Sequence, residues 1–134
     1  MLVSSDNLVS SDNVEVVLAW HAALNAGDAD GLVALSAADV EVGGPRGAGR
    51  GDDLLRGWVE RARIQLEPVR WLAQGARVVV EESASWQTSD GQLTEPQVVA
   101  SVFGVEAGKV SSVIRYADFE EALESAGAGG SPRV

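Results

Sequence analysis

One histidine and two adjacent glutamates are the side chains of this sequence best suited to moving a proton. His21 is the only histidine among 134 residues, and imidazole, which titrates near neutral pH, can act as a general base. Glu81 and Glu82 are neighbours in a segment that alternates like a β-strand, so one must face the interior and the other must face away. The sequence predicts that Glu82 faces inward, although a one-residue bulge would exchange the two. The residues that share its parity are mostly apolar: Val78, Val80, Ala84 and Trp86.

His21 also has a purely structural interpretation. It lies in a helical stripe with Val17, Leu18 and Leu24, where a histidine packs in the core and bonds to backbone or water. A zinc site would need further ligands, and without any cysteine only carboxylates could supply them. The sequence therefore predicts no metal and no cofactor.

The composition argues against several classes of function. Against 10 basic residues there are 20 acidic ones, which gives a net charge of −10. Such a charge repels nucleic acid, and it disfavours an acidic membrane surface for the same reason. No apolar run is long enough to span a membrane, and no secretory signal is visible. With no cysteine to form disulfides, these features predict a cytoplasmic protein of bacterial type.

The elements that must position these residues are preceded by an exact repeat. Residues 2–7 and 8–13 both read Leu-Val-Ser-Ser-Asp-Asn. Two copies are too few for a repeat architecture, so residues 1–12 are predicted to be a disordered leader. Asp12, with a glutamate three residues later, is expected to cap the first helix.

Helices are predicted in the first half of the chain. The first covers roughly 13–26 and is apolar on most sides, which indicates that it is covered on more than one side. Gly27 suits its left-handed C-terminal cap, and Asp28 can cap the short helix that follows. A short strand is expected at 40–42, followed by a glycine-rich loop at 43–51.

The second half of the chain has the pattern of strands. A helix opens at Asp52, and after residue 66 the apolar residues alternate between glycine-containing turns. A last helix is expected over 118–125, and 126–134 is predicted to be a flexible tail. The predicted strands are 67–74, 77–87, 96–106 and 109–117. This order predicts an α+β domain over 13–125, in which a curved antiparallel sheet wraps around the N-terminal helices.

The order of elements over 12–124, with the segment Ala-Leu-Asn-Ala-Gly-Asp at 23–28, resembles the nuclear transport factor 2-like superfamily. Ketosteroid isomerases, limonene epoxide hydrolases and small polyketide cyclases belong to it, as do proteins that catalyse nothing. The resemblance implies a conical pocket between the sheet and the long helix, open at one end. It also implies a homodimer that pairs through the outer face of the sheet.

The characteristic catalytic residues of two of these groups are missing here. Where ketosteroid isomerases carry a tyrosine, a general-base carboxylate and a protonated aspartate, the resemblance places Trp20, Gly44 and Ala100. Where the epoxide hydrolases carry an aspartate in the last strand, this chain has Arg115, which stays charged and cannot deprotonate water. Neither activity is expected.

The resemblance to the superfamily also suggests a candidate site. It implies that Arg115 faces the cavity, where a buried guanidinium needs an anionic partner, either a ligand carboxylate or Glu82. Trp20, Trp86, Tyr116 and Ala100 are the expected pocket residues, although the two tryptophans could instead fill the core. Trp58 and Trp71 are predicted to be core residues. The glycine-rich loop matches no phosphate-binding motif and is expected at the cavity rim, with Arg46 and Arg50 as a weak anion site.

Two hypotheses of function remain open. The first is an enzyme acting on an apolar metabolite that carries a carboxylate or an enolisable carbonyl. Arg115 would hold the anion, and Glu82 or His21 would move the proton, so that isomerisation, hydration or dehydration, or cyclisation is possible. The second is a non-catalytic module that binds a small molecule, another protein or a second copy of itself.

Overall fold

The helices and strands follow one another in the predicted order. A computed structural model describes residues 4–44 and 47–126, with side chains over 12–43, 47–60 and 63–126. None of the described helices is long and apolar enough to cross a membrane. The elements are α1 (Ser4–Ala26), α2 (Ala29–Ala34), β1 (Ser36–Gly44), β2 (Gly47–Arg50), α3 (Asp52–Gly57) with a π-helical turn (Trp58–Ala62), β3 (Gln65–Gln74), β4 (Arg77–Ser85), β5 (Gln97–Glu106), β6 (Lys109–Tyr116) and α4 (Phe119–Ser125).

Helix α1 begins earlier than the sequence indicates and ends as predicted. It starts at Ser4 and takes in most of the duplicated leader, so Asp12 lies inside the helix and does not cap it. At the other end Gly27 has a φ of 75°. The amides of Gly27 and Asp28 donate to the carbonyls of Leu24 and Ala23 at 3.1 and 2.9 Å, which is the Schellman arrangement. Asp28 then caps α2 by accepting from the Gly31 amide at 3.0 Å.

The sheet is mixed, whereas the sequence predicted an antiparallel one. Its strand order is β2-β1-β6-β5-β4-β3. Strands β3 to β6 form consecutive antiparallel hairpins, but β1 lies parallel to β6, with Val42 opposite Val113. Residues 47–50 of the predicted loop form the edge strand β2. The α+β class and the wrapped sheet are confirmed, and the parallel pair joins segments that are too distant in sequence for the pattern to reveal.

Different elements pack against the two faces of the sheet. The inner face packs against α1 through a large apolar cluster that includes Trp20, Leu24 and Phe103. The outer face packs against α4 through a smaller cluster around Val79. The prediction for Trp71 is wrong, because it lies on the edge strand β3 and is 43% exposed. The predicted tail lies outside the described residues from 127 onward.

Candidate functional site

Three buried polar side chains from three elements form a hydrogen-bonded chain on the inner face of the sheet. His21 of α1 contacts Glu82 of β4, with 2.5 Å between Nε2 and Oε2. Ser101 of β5 donates from its hydroxyl to Oε1 of Glu82 at 2.8 Å. Their exposed fractions are 1, 0 and 2%, in the same order. We call this group the polar chain.

The hydrogen bonds restrict where protons can lie. Nδ1 of His21 is 2.8 Å from the carbonyl oxygen of Val17. A carbonyl can only accept, so Nδ1 carries a hydrogen and donates it. The short contact between Nε2 and Oε2 then requires a proton between them, held either by the imidazole or by the carboxyl. The pair therefore has no net charge in either form, which reduces the cost of burying it.

Local structure explains which way His21 and Glu82 face. His21 lies one helical turn after Val17, on the buried stripe of α1 with Trp20 and Leu24. Glu82 shares its parity with Val78 and Val80, as the alternation predicts. Glu81 faces the other side of the strand and pairs with Arg70 at 2.9 Å.

Aromatic rings enclose the imidazole. The rings of Trp20 and Phe103 lie 5.6 and 5.0 Å from that of His21, measured between centroids. The indole nitrogen of Trp20 donates to Ser36 at 3.1 Å, so it is already satisfied within the core. This enclosure keeps water from the imidazole and strengthens its contact with Glu82.

A cavity of about 510 Å³ lies next to the polar chain. Its lining is mostly apolar and includes two polar residues, Ser101 and Arg115. These two residues are direct cross-strand partners on β5 and β6. The apolar lining residues come from β1, α3 and its π-helical turn, β3 and β6, and include Val42, Leu54, Trp58, Leu66 and Val113.

Arg115 reaches the cavity but does not pair with Glu82. It is an exposed residue, and among the described side chains it takes part in none of the ion pairs. The carboxylate of Glu82 is instead occupied by His21 and Ser101. The guanidinium is thus left to face the cavity, where it could bind an anion bidentately.

The chain matches a known protein family over most of its length. The model of the SnoaL-like domain matches residues 17–113. The chain belongs to the SnoaL-like family. That stretch holds α1 from Val17, both residues of the buried pair and Ser101, while Arg115 lies two residues beyond it. No curated protein matches the chain in sequence.

Solved structures support the SnoaL-like fold. An NTF2-like protein from Burkholderia xenovorans is 30% identical, with a TM-score of 0.67 over 87% of this chain and 96% of that one. An uncharacterised cystatin-fold protein from Novosphingobium aromaticivorans is 26% identical, with a TM-score of 0.67 over 78 and 97%. A candidate polyketide cyclase from Xanthomonas campestris is 24% identical, with a TM-score of 0.69 over 87 and 98%.

The predicted pocket residues of this SnoaL-like domain lie elsewhere. Ala100 and Tyr116 are on the outer face, packed with α4, because they have the opposite parity to Ser101 and Arg115. Trp20 is fully buried in the core, and Trp86 follows the end of β4 and is half-buried. None of the four lines the cavity, whereas Trp58, predicted to be core, does.

The glycine-rich segment contributes residues to the lining of the cavity. Gly43, Gly47 and Gly49 belong to the lining. Arg50 is exposed and pairs with Glu41 at 3.7 Å, and Arg46 lies outside the described residues. Within the described part of the chain, no three histidine or acidic side chains come together as a metal site would require.

Ser101 is the site residue that the sequence did not single out. It interrupts an apolar alternation formed by Val99, Phe103 and Val105, which share its face of β5. This interruption is the feature of the sequence that could have identified Ser101. It was obscured because the alternate residues Val98, Ala100 and Val102 are also apolar, so parity alone does not tell the inner face from the outer.

Proposed function

We propose that this SnoaL-like domain binds an apolar small molecule bearing a carboxylate or an enolisable carbonyl and moves a proton on it. Isomerases, cyclases and hydratases carry out such chemistry. One observation carries the proposal. The polar groups of an otherwise apolar cavity are Arg115 and Ser101, and the buried pair of Glu82 and His21 lies directly behind Ser101.

The cavity suits such a ligand in size and polarity. Its volume of about 510 Å³ falls within the range of small-molecule sites. Arg115 supplies a planar pair of donors for a carboxylate, or for the oxyanion of an enolate formed during reaction. The apolar lining would hold the remainder of the molecule. The description of the Xanthomonas protein as a candidate polyketide cyclase agrees with cyclisation as one of the reactions.

The buried pair supplies the proton acceptor or donor. Glu82 and His21 hold one proton between them, and they lie outside the cavity lining. They would therefore act on the ligand through Ser101, with Arg115 balancing the negative charge that develops on the ligand.

A thermal-shift screen of apolar carboxylates and ketones tests the binding step. A ligand at a hundredfold its Kd should stabilise the wild type by about 2.7 kcal/mol. Arg115→Ala should remove the shift, whereas the matched control Arg77→Ala, at the exposed start of β4, should retain it. A shift that survives in Arg115→Ala would contradict the role of the guanidinium. No shift with any compound would favour the second candidate.

The second candidate is a non-catalytic module that associates with a copy of itself. The observation in its favour is that Leu72 and Val98, on the outer face, are 43 and 61% exposed. Burial of such apolar side chains drives association. Light scattering should give a dimer that Val98→Glu converts to a monomer. A wild type that stays monomeric at high concentration would exclude this mode of pairing.

A further inference from the structure

Ser101 holds a special position between the buried pair and the cavity. Nδ1 of His21 is bonded to Val17, and Nε2 is bonded to Glu82. The second carboxyl oxygen, Oε1, is bonded to Ser101. Of these residues, only Ser101 belongs to the cavity lining.

We infer that Ser101 is the outlet through which the buried pair of Glu82 and His21 exchanges its proton with the cavity. This deepens the proposed function, because it makes Ser101 the residue that would touch the ligand. Glu82 and His21 become positioning residues that act through it. The inference rests on three observations, which are the burial of the pair, the bond from Ser101 to Oε1 and the place of Ser101 in the cavity lining.

The direction of the hydrogen bonds defines the step. Ser101 donates to Oε1 of Glu82, so a proton can pass inward without any rearrangement. As the hydroxyl proton moves to Oε1, the Ser101 oxygen takes a proton from the ligand. The bond from the ligand to that proton breaks, and its electron pair stays on the ligand. The serine hydroxyl is thereby regenerated, and the buried pair holds two protons where it held one.

The neighbouring charge agrees with this direction. Loss of the proton leaves the ligand with a negative charge, and Arg115, the cross-strand partner of Ser101, supplies a positive charge beside it. The same arrangement allows the reverse step, in which the proton returns through Ser101 to a different atom of the ligand. Removal at one atom and return at another is what an isomerisation needs.

The single histidine allows a test that needs no ligand. With ¹⁵N-labelled histidine, only His21 is observed. NMR can follow separately the exchange with solvent of the proton on Nδ1 and of the proton that Nε2 shares with Glu82. A proton that enters at Oε1 exchanges with the one at Nε2 when the carboxyl of Glu82 rotates. Ser101→Ala removes this route and should slow the exchange at Nε2 by about tenfold or more. Exchange at Nδ1, which is bonded to Val17, should not change. Ser101→Thr retains a hydroxyl and should restore the exchange at Nε2.

Controls separate this role from a general effect on stability. Ser83→Ala, on the opposite face of β4, should leave both ring protons as they are in the wild type. Backbone amide exchange along β4 reports any loosening of the fold, which would accelerate exchange at both ring positions. Unchanged or faster exchange at Nε2 in Ser101→Ala would overturn the inference. Because no ligand is used, that result is independent of the thermal-shift screen.

Discussion

Two adjacent glutamates of β4 face opposite sides of the sheet and experience opposite environments. Glu81 pairs with Arg70 at 2.9 Å, and the Arg70 side chain is 60% exposed. Glu82 pairs with His21 at 2.5 Å, and both side chains are almost fully buried. Water screens the first pair, so the attraction between Glu81 and Arg70 adds little to the free energy of unfolding. The second pair has lost its water and depends entirely on its partners.

The largest effect is expected when one member of the buried pair is removed. His21→Leu leaves the Glu82 carboxyl in the core with Ser101 as its remaining partner, which should cost about 3–5 kcal/mol of unfolding free energy. Urea denaturation of the variant and the wild type at neutral pH measures this loss.

The double variant His21→Leu with Glu82→Leu separates the cost of the unpaired carboxyl from the cost of lost packing. It replaces the pair with apolar side chains and should recover most of the lost stability. If the double variant were less stable than His21→Leu alone, packing of the imidazole, and not the unpaired carboxyl, would be the main contribution.

A smaller loss is expected for Ser101→Ala. Oε1 of Glu82 loses its donor, which should cost about 1–3 kcal/mol. Ser83→Ala removes a hydroxyl from the outer face of β4 and should cost less than about 0.5 kcal/mol. Chemical denaturation compares the two variants. Equal losses would mean that the carboxyl of Glu82 does not depend on the hydroxyl of Ser101.

Substitutions in the exposed pair of Glu81 and Arg70 should lower stability only slightly. Glu81→Gln is expected to cost less than about 1 kcal/mol. Arg70→Ala should cost more than Glu81→Gln, because the guanidinium of Arg70 also lies over the ring of Phe119 at 4.2 Å from its centroid, a contact that helps hold α4 to the sheet. Raised salt should weaken the effect of Glu81→Gln. A loss for Glu81→Gln as large as that for His21→Leu would contradict the comparison.

The smallest effect concerns Asp90, in the turn between β4 and β5. Hydrogen bonds from the Thr88 hydroxyl and the Gln92 amide lower the pKa of its carboxyl. A lowered pKa in the folded state adds stability at neutral pH, and this is lost as the pH falls through that pKa. Thr88→Ala should move the pKa up towards its ordinary value, as carboxyl ¹³C titration would show. An unchanged titration would exclude the hydroxyl as the cause.

The sequence predicted well what depends on neighbours along the chain. The cap at Gly27 and Asp28 follows from a few adjacent residues, and the four predicted strands of the second half end within two residues of β3 to β6. The inward orientation of Glu82 follows from strict alternation. The early start of α1 and the exposure of Trp71 were missed, because propensity and apolar character alone do not say what covers a residue.

By itself, the sequence determined the succession of helices and hairpins, the α+β class and the parity of Glu82, since these depend on the helical and strand periods and on local capping. The tertiary structure alone decided that β1 lies beside β6, that His21 and not Arg115 pairs with Glu82, and that Ser101 connects this pair to the cavity. The reason is physical. Residues 61 positions apart, such as His21 and Glu82, meet only when burial of the apolar faces brings the helix onto the sheet, and local pattern carries no record of that docking.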